Sequence, residues 1–322
     1  MRHSYIQRLK GKLQNYGHLN IDFMSSIAKL PQLLITVQLP NEYIDMLSNK
    51  FDIVYHHNKS ELIERKLLLK LIDENHVNAI LFTGFVQIDK ELLEYCGSHL
   101  KALSTVSVGY DHIDVKECQK RHIPIGYVPN VSTNSIADLT IALLLATSRR
   151  LIEGIDIVKQ ENWNWNITFL CGKSLENSTV GIVGLGRIGS TTIKSMAVAR
   201  RLQSFAVKQI LYCRSSSNEN QPKKLDKDLN ENLFELVEFK QLLNQSDFVI
   251  ITCSLNDYTR NLFNSNTFKQ MKYGDSILIN TARGGIVDQN ALYDALISGQ
   301  ILAAVWICRG SPLQLWPTFA NR

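Results

Sequence analysis

At 322 residues and 36.6 kDa, the chain is too long for one ordinary domain and fits two comfortably. Hydrophobic residues make up 45% of it and charged ones 20%, enough to bury a large core, so disorder is excluded as the main state, and no apolar run approaches the ~20 residues of a membrane helix. Of the net charge of +5, residues 1–30 supply +4, with Arg2, Arg8, Lys10, Lys12 and Lys29 against only Asp22, so the nearly neutral remainder offers no broad basic face to nucleic acid.

In the first 32 residues Ile6, Leu9, Leu13 and Tyr16 share one helical face among basic residues. A mitochondrial targeting peptide would look like this, but a poorly ordered extension, or a start upstream of Met24, needs fewer assumptions. From Leu33 short apolar runs alternate with helix-period stretches, as strands joined by crossover helices do. Strands are predicted at Leu33–Val37, Asp52–Tyr55, Asn78–Phe82 and Ala102–Thr105, with helices at Glu61–Ile72 and Asp89–Tyr95. After Pro129 one long helix is predicted over Ile136–Gln160, capped by Thr133 or Asn134, which puts a boundary near Gly126–Pro129.

The second unit reads as strand Thr179–Val183, helix Arg187–Phe205, strand Gln209–Cys213 and a polar loop Ser215–Asn232. Strands Phe248–Thr252 and Ser276–Asn280, helix Gln289–Ile297 and strand Ile301–Ala304 follow. This is an α/β array with parallel-sheet logic. Cys96, Cys118, Cys171, Cys213, Cys253 and Cys308 are scattered, with no C-x-x-C pair and no secretory signal. They point to free thiols in a reducing compartment, the cytoplasm, and to no metal site.

Gly184-Leu-Gly186-Arg187-Ile188-Gly189 follows the run Thr-Val-Gly-Ile-Val and opens a helical pattern. A lone G-x-G-x-x-G is weak, but this one has its strand before and its helix after, as dinucleotide binding requires. Gly184 permits the tight turn, Gly186 lets backbone approach a pyrophosphate, Gly189 brings helix and strand together, and the helix start offers free N–H groups. The next strand ends at Arg214-Ser215-Ser216-Ser217 where an NAD site would usually place Asp or Glu. A guanidinium and three hydroxyls suit a 2′-phosphate, so NADP(H) is favoured over NAD(H).

Ser107-Val108-Gly109-Tyr110-Asp111-His112-Ile113-Asp114 joins a strand to a helix, and its small residues could present backbone N–H groups to a carboxylate. Asn280-Thr281-Ala282-Arg283-Gly284-Gly285 puts an arginine at the C-terminal end of another strand, where open α/β sheets bind ligands. Arg283 has the fork to hold a carboxylate or polarise a carbonyl; without the nucleotide motif, capping a strand or pairing with Asp288 would be the first expectation.

Together these residues resemble the D-2-hydroxyacid dehydrogenase family, most closely its glyoxylate/hydroxypyruvate reductase branch. The likeness covers about 33–304 in order: Ser107–Asp114, Pro129–Arg150, Trp163–Gly172, Val180–Gly189, Cys253–Leu255 and Asn280–Val287. It implies two Rossmann-like domains with parallel sheets, one flavodoxin-like and substrate-binding (33–126), the other binding NAD(P) (127–304) and incomplete here. It also implies reduction of small 2-keto acids to 2-hydroxy acids with NAD(P)H, in a homodimer. By resemblance Val108 and Gly109 bind the substrate carboxylate through backbone N–H groups, and Arg283 is the catalytic arginine that orients the keto acid. Gly186, Arg187 and Ile188 meet the pyrophosphate, Arg214 and Ser215 the 2′-phosphate, and Ser254 and Thr281 the nicotinamide side. Trp163 or Trp165 resembles an aromatic loop placed near a partner subunit.

After Ala304 the family continues Gly-Leu-Asp, a Glu-Pro loop and a Pro-His-Ile-Gly block, whose Glu–His pair protonates the carbonyl oxygen. This chain instead reads Val305-Trp306-Ile307-Cys308-Arg309-Gly310, and its last histidine is His122. Deleting one G from codons for Gly-Leu-Asp yields Val-Trp-Ile, so a single-nucleotide frameshift is the expected origin of 305–322, with alternative splicing as the competitor. Two other readings stand beside the reductase: a catalytically dead nucleotide-binding remnant, and an NAD(H)-sensing corepressor relative. Arg214, the lack of a partner-motif groove signal and the closer block similarity count against the corepressor. Loss of a positioned general acid costs ~10²–10⁴ in rate, and loss of the family's C-terminal strands and helix exposes the apolar faces they would cover, so the chain as written is expected to be crippled and poorly stable. Glyoxylate turnover by the purified chain at rates typical of the family would refute this. Genomic resequencing that finds Val-Trp-Ile in frame before a clean exon junction would replace the frameshift with splicing.

Overall fold

The computed structural model describes residues 30–56, 62–129, 131–160, 167–184, 189–213 and 229–307, with the backbone alone at 56 and 189–194. In the first part β1 (Gln32–Ile35), α1 (Asn41–Ser48), β2 (Asp52–His56), α2 (Arg65–Glu74) and β3 (Ala79–Phe82) alternate. Then come α3 (Lys90–Cys96), β4 (Ala102–Thr105), α4 (Val115–Lys120) and β5 (Ile125–Gly126). The strands make one all-parallel sheet in the order β2-β1-β3-β4-β5. Asp89 and Asp114 start α3 and α4 by accepting from the backbone N–H groups of Leu92 and Glu117, which satisfies donors that have no partner within the helix.

The second part begins with α5 (Thr133–Ser148) and α6 (Leu151–Lys159). The single helix predicted over Ile136–Gln160 is thus two. Arg150 adopts a left-handed conformation (φ 56°), and the Ser148 carbonyl accepts from the Lys173 N–H at 3.0 Å instead of continuing the helical ladder. A hydrogen bond 25 residues away decides this break, and no Gly or Pro announces it. There follow β6 (Thr179–Val183), α7 (Gly189–Leu202), β7 (Gln209–Cys213), β8 (Phe234–Leu236), α8 (Phe239–Gln245) and β9 (Phe248–Ile251). The part closes with α9 (Ser265–Phe268), β10 (Ile277–Asn280), α10 (Gln289–Ile297) and β11 (Ala303–Trp306).

These strands form a second all-parallel sheet, β11-β10-β9-β6-β7-β8, the order of doubly wound dinucleotide-binding sheets. Both faces are covered, which is why its strands read as continuous apolar runs. Ala137, Ile141 and Leu144 of α5 pack with Val198 and Leu202 of α7 on one face; Leu242 and Leu243 of α8 and Leu292 of α10 pack on the other. Two local differences from the sequence reading concern strand ends. The last strand runs through Trp306, pairing Val305 with Ile279 and Trp306 with Asn280, so the backbone pattern continues two residues past Ala304. The short strands β5 and β8 were not predicted, because two or three residues carry no readable alternation. Among the described residues, those up to 105 together with 114–126 form one compact unit, and 106–113 with those from 127 onward form the other.

Where β6, β9 and β10 begin, Asp247, just before β9, ties the three strands together. Its Oδ2 accepts from the Thr179 N–H at 2.7 Å, and its Oδ1 accepts from the Lys173 and Lys272 ammonium groups at 2.9 and 2.8 Å. Its own backbone N–H donates to the Thr179 carbonyl and its carbonyl accepts from the Ile277 N–H. Burial pushes the Asp247 carboxyl up, but the two lysines and the Thr179 N–H outweigh it and hold the group below its ordinary value of 3.8. The carboxylate therefore stabilises the fold fully above that ordinary value, and the contribution is lost as pH falls through the lower folded value. Asp247→Asn is expected to lower the unfolding free energy by about 1–3 kcal/mol near neutrality. The urea-midpoint difference from wild type should shrink as pH falls below the ordinary carboxylate value of 3.8; a difference that stays constant across pH would remove the carboxylate from the account.

Candidate active site

Register sets the site. Val183, Ile251 and Asn280 pair level across β6, β9 and β10, so the turns that leave these strands emerge side by side at the C-terminal edge. The strand order reverses between β6 and β9, where open α/β sheets leave a crevice. Gly184 sits there with φ +110°, and a Cβ on it would lie 2.5–2.6 Å from backbone and side-chain atoms of Cys253. Only glycine passes this turn, so the tight approach that a dinucleotide's phosphates require is built into the backbone. Its N–H donates to the Cys213 carbonyl, and the Thr252 N–H donates to the Val183 carbonyl.

Beneath the turn, two buried hydroxyls hold the carbonyls of the strand end. The Thr252 Oγ1 donates to the Val183 carbonyl at 3.0 Å and lies 2.7 Å from the Ser195 Oγ, itself near the Gly184 carbonyl. Burial pushes the Cys213 and Cys253 thiols up to about 12, so neither offers a thiolate at neutral pH. Ser254 is exposed at the end of β9, its carbonyl accepting from the Thr259 hydroxyl at 2.7 Å. Thr281 is buried after β10, its hydroxyl 2.9 Å from that of Thr140 on α5.

Arg283 is delivered by a turn that Asn280 clamps. The Asn280 Oδ1 accepts from the Ala282 N–H and its Nδ2 donates to the Arg283 carbonyl, both at 3.0 Å. The guanidinium then reaches the loop of 106–113. Its Nε donates to the Asp111 Oδ1 at 2.9 Å, its Nη1 donates to the Ala282 carbonyl, and its Nη2 lies 1.8 Å from where a Gly109 Cβ would stand. The guanidinium therefore rests on bare backbone, and any side chain at 109 would displace it. Val108 lies next to that backbone and is half-buried. The loop is itself held: the Ser107 hydroxyl donates to the Gly109 carbonyl at 2.7 Å, the Val128 N–H donates to the Ser107 carbonyl, and Tyr110 meets Tyr127 edge to face.

His112 is buried beside this pair. Burial pushes its imidazole below the ordinary 6.5; the Asp111 carboxylate opposes that push and the Arg283 cation adds to it. The ring is thus neutral at neutral pH. Asp288 does not pair with Arg283; its carboxylate caps α10, accepting from the Asn290 and Ala291 N–H groups.

The structure thus brings together, in one unit, Val108, Gly109, Gly184, Ser254, Thr281 and Arg283 from the sequence reading. Gly189 opens α7. Gly186, Arg187, Ile188, Arg214, Ser215, Trp163 and Trp165 lie outside the described residues. Asp111 and Asn280 stood inside the quoted motifs without a role, and a carboxylate two residues from Gly109 was the signal for the first. Thr140 gave no signal.

The NAD binding domain of the D-isomer specific 2-hydroxyacid dehydrogenases matches residues 141–307. A glyoxylate reductase/hydroxypyruvate reductase of Mus musculus is 40% identical over 279 residues, which cover 86% of this chain and 80% of that protein. A glyoxylate reductase of Pyrococcus horikoshii is 36% identical, over 85% of this chain and 78% of its own length. Among solved structures, the TT0316 protein from Thermus thermophilus superposes with a TM-score of 0.73 at 31% identity, covering 88% of this chain and 84% of that one. A glyoxylate reductase from Paecilomyes thermophila gives 0.70 at 26%, covering 87% and 81%. With its doubly wound sheets, its glycine turn at the strand-order reversal and its arginine seated on the Gly109 loop, the chain belongs to the D-isomer specific 2-hydroxyacid dehydrogenases, a family of NAD(P)-dependent 2-hydroxyacid oxidoreductases.

Proposed function

We propose that this chain binds NADP(H) in preference to NAD(H) and reduces a small 2-keto acid of the glyoxylate or hydroxypyruvate type to its 2-hydroxy acid. The observation that carries the substrate class is Arg283 seated against Gly109 with its guanidinium held by Asp111. A guanidinium beside small, backbone-rich loop residues suits a carboxylate with little attached to it. The names of the similar proteins from Mus musculus and Pyrococcus horikoshii point the same way.

The Gly184 turn fits the nicotinamide dinucleotide, because a Cβ there would fill the space the turn needs. With Gly184 making the tight turn and Gly189 bringing helix and strand together, Gly186, Arg187 and Ile188 would meet its pyrophosphate, Ser254 and Thr281 the nicotinamide side, and Arg214 and Ser215 the 2′-phosphate. When bound, the reduced cofactor supplies a hydride to the keto carbon. Arg283 orients the keto acid and draws charge onto the carbonyl oxygen; it stays protonated throughout, so it stabilises that oxygen without giving it a proton. The proton comes from another acid, or from water at a lower rate. The substrate carboxylate would be shared between the Arg283 guanidinium and the Val108–Gly109 backbone N–H groups, with the Gly109 carbonyl turned aside onto Ser107.

A second copy of the chain completes the proposal. Leu151, Ile152, Ile155 and Val158 of α6 are each about half exposed, and Gly154 is the one residue that α6 buries, an apolar stripe that a homodimer would cover. No helix of the described residues is long and apolar enough to cross a membrane, and the scattered cysteines fit the cytoplasm.

Fluorescence titration with NADPH and NADH, followed by glyoxylate-dependent loss of NADPH absorbance, tests the reading. NADPH should bind at least ten-fold tighter than NADH, and Arg214→Ala should narrow the gap by about ten-fold. Equal affinities would overturn the cofactor preference, and binding without any glyoxylate-dependent signal would favour the dead remnant. Sedimentation equilibrium should give twice the chain mass; a single-chain mass at micromolar concentration would remove the dimer.

A further inference from the structure

We propose that Asp111 is the positioning residue of the substrate arginine: its carboxylate fixes the guanidinium of Arg283 in the pose that receives the substrate carboxylate. The inference rests on the reading of Arg283 given above and adds the group that aims it. Three observations support it. The Arg283 Nε donates to the Asp111 Oδ1 at 2.9 Å across 172 residues of sequence, so the contact is made by the fold and not by chain neighbours. Nε is the one guanidinium nitrogen whose bond direction is tied to the side-chain stem, so holding it fixes the plane in which the remaining Nη1 and Nη2 hydrogens lie. Finally, Asp111 Oδ1 and Arg283 Nη2 lie 2.9 and 1.8 Å from the Gly109 Cβ position, so the bare backbone of Gly109 is the surface on which both groups rest.

The pair is poorly suited to a purely structural role. Its side chains are 36% and 27% exposed, where water and salt screen most of the attraction. What the contact does supply is order. An arginine side chain has many rotamers, and without an anchor the guanidinium would have to be immobilised by the ligand itself at a cost in affinity. A displacement of about 1 Å at such a group costs on the order of 100-fold where geometry is demanded. The anchor also balances charge. Arg283 and Asp111 nearly cancel, so a passing anion gains little, whereas a planar two-carbon anion that can meet the oriented fork gains both its hydrogen bonds. Asp111 thereby favours shape over charge in choosing the ligand.

Oxalate, a two-carbon anion that carries a second carboxylate where glyoxylate has its aldehyde, is the probe. Its affinity for the NADPH-saturated chain is measured by isothermal titration for wild type, Asp111→Asn, Arg283→Gln and the double variant, with NADPH affinity and melting temperature alongside. We expect Asp111→Asn to weaken oxalate roughly 10- to 100-fold while melting temperature and NADPH affinity stay close to wild type. Adding it to Arg283→Gln should cost nothing further, because a group that acts through Arg283 has no effect once Arg283 is gone. Asp111→Glu, run in the same cycle, keeps the carboxylate and should recover part of the loss; it replaces Asp111→Asn should that variant not fold. If Arg283→Gln loses oxalate while both Asp111 variants bind it as wild type does, or if the losses simply add in the double variant, the positioning role is overturned. If Arg283→Gln binds oxalate like wild type, the reading of Arg283 fails, and this inference falls with it.

Discussion

Asp247 holds the starts of three strands together, and the alignment of their far ends follows from that. In this sheet both faces are buried in apolar side chains, Phe248 and Ile250 to one side and Val249 and Ile251 to the other. Alternation of polar and apolar residues, which pins register in a half-exposed sheet, is therefore missing. A carboxylate that accepts from the Thr179 N–H, while its own backbone pairs with Thr179 and Ile277, supplies the missing reference point. Parallel strands carry that reference to the other edge, where Val183, Ile251 and Asn280 finish level. The glycine turn, the Ser254 carbonyl and the arginine all inherit their positions from it.

At the working edge the same economy recurs, with groups placed by backbone before any side chain is chosen. Gly184 and Gly109 each mark a place where a methyl group would collide, once with Cys253 and once with the Arg283 guanidinium. Between them the buried hydroxyls of Ser195, Thr252, Thr140 and Thr281 satisfy one another or nearby carbonyls, so these four are paired without charge. The thiols of Cys213 and Cys253 are pushed too high to ionise, and His112 is held neutral. Arg283 and Asp111 are thus the charges that face one another at this edge.

Much of this could be read in one dimension. β6 and β7 fall at Thr179–Val183 and Gln209–Cys213 and α10 at Gln289–Ile297, as their apolar runs and period predict, because each is set by residues within a few positions of one another. Gly184 after β6 and the arginine after β10 are local signals too, and each follows the strand that the sequence placed before it. The α5–α6 break was illegible, since a continuous helical period runs across Arg149 and the Ser148–Lys173 hydrogen bond lies on another segment.

By itself, then, the sequence determined the element types, the parallel α/β class and the chemical identity of the site's principal groups, because propensity, burial pattern and side-chain chemistry are properties of short stretches of chain. Tertiary structure decided which groups meet. Asp288 was the near candidate for Arg283 and became a helix cap; Asp111, 172 residues away, became the partner. An ion pair depends on a distance of a few ångströms, and only the packing of the folded unit sets distances between residues so far apart in the chain.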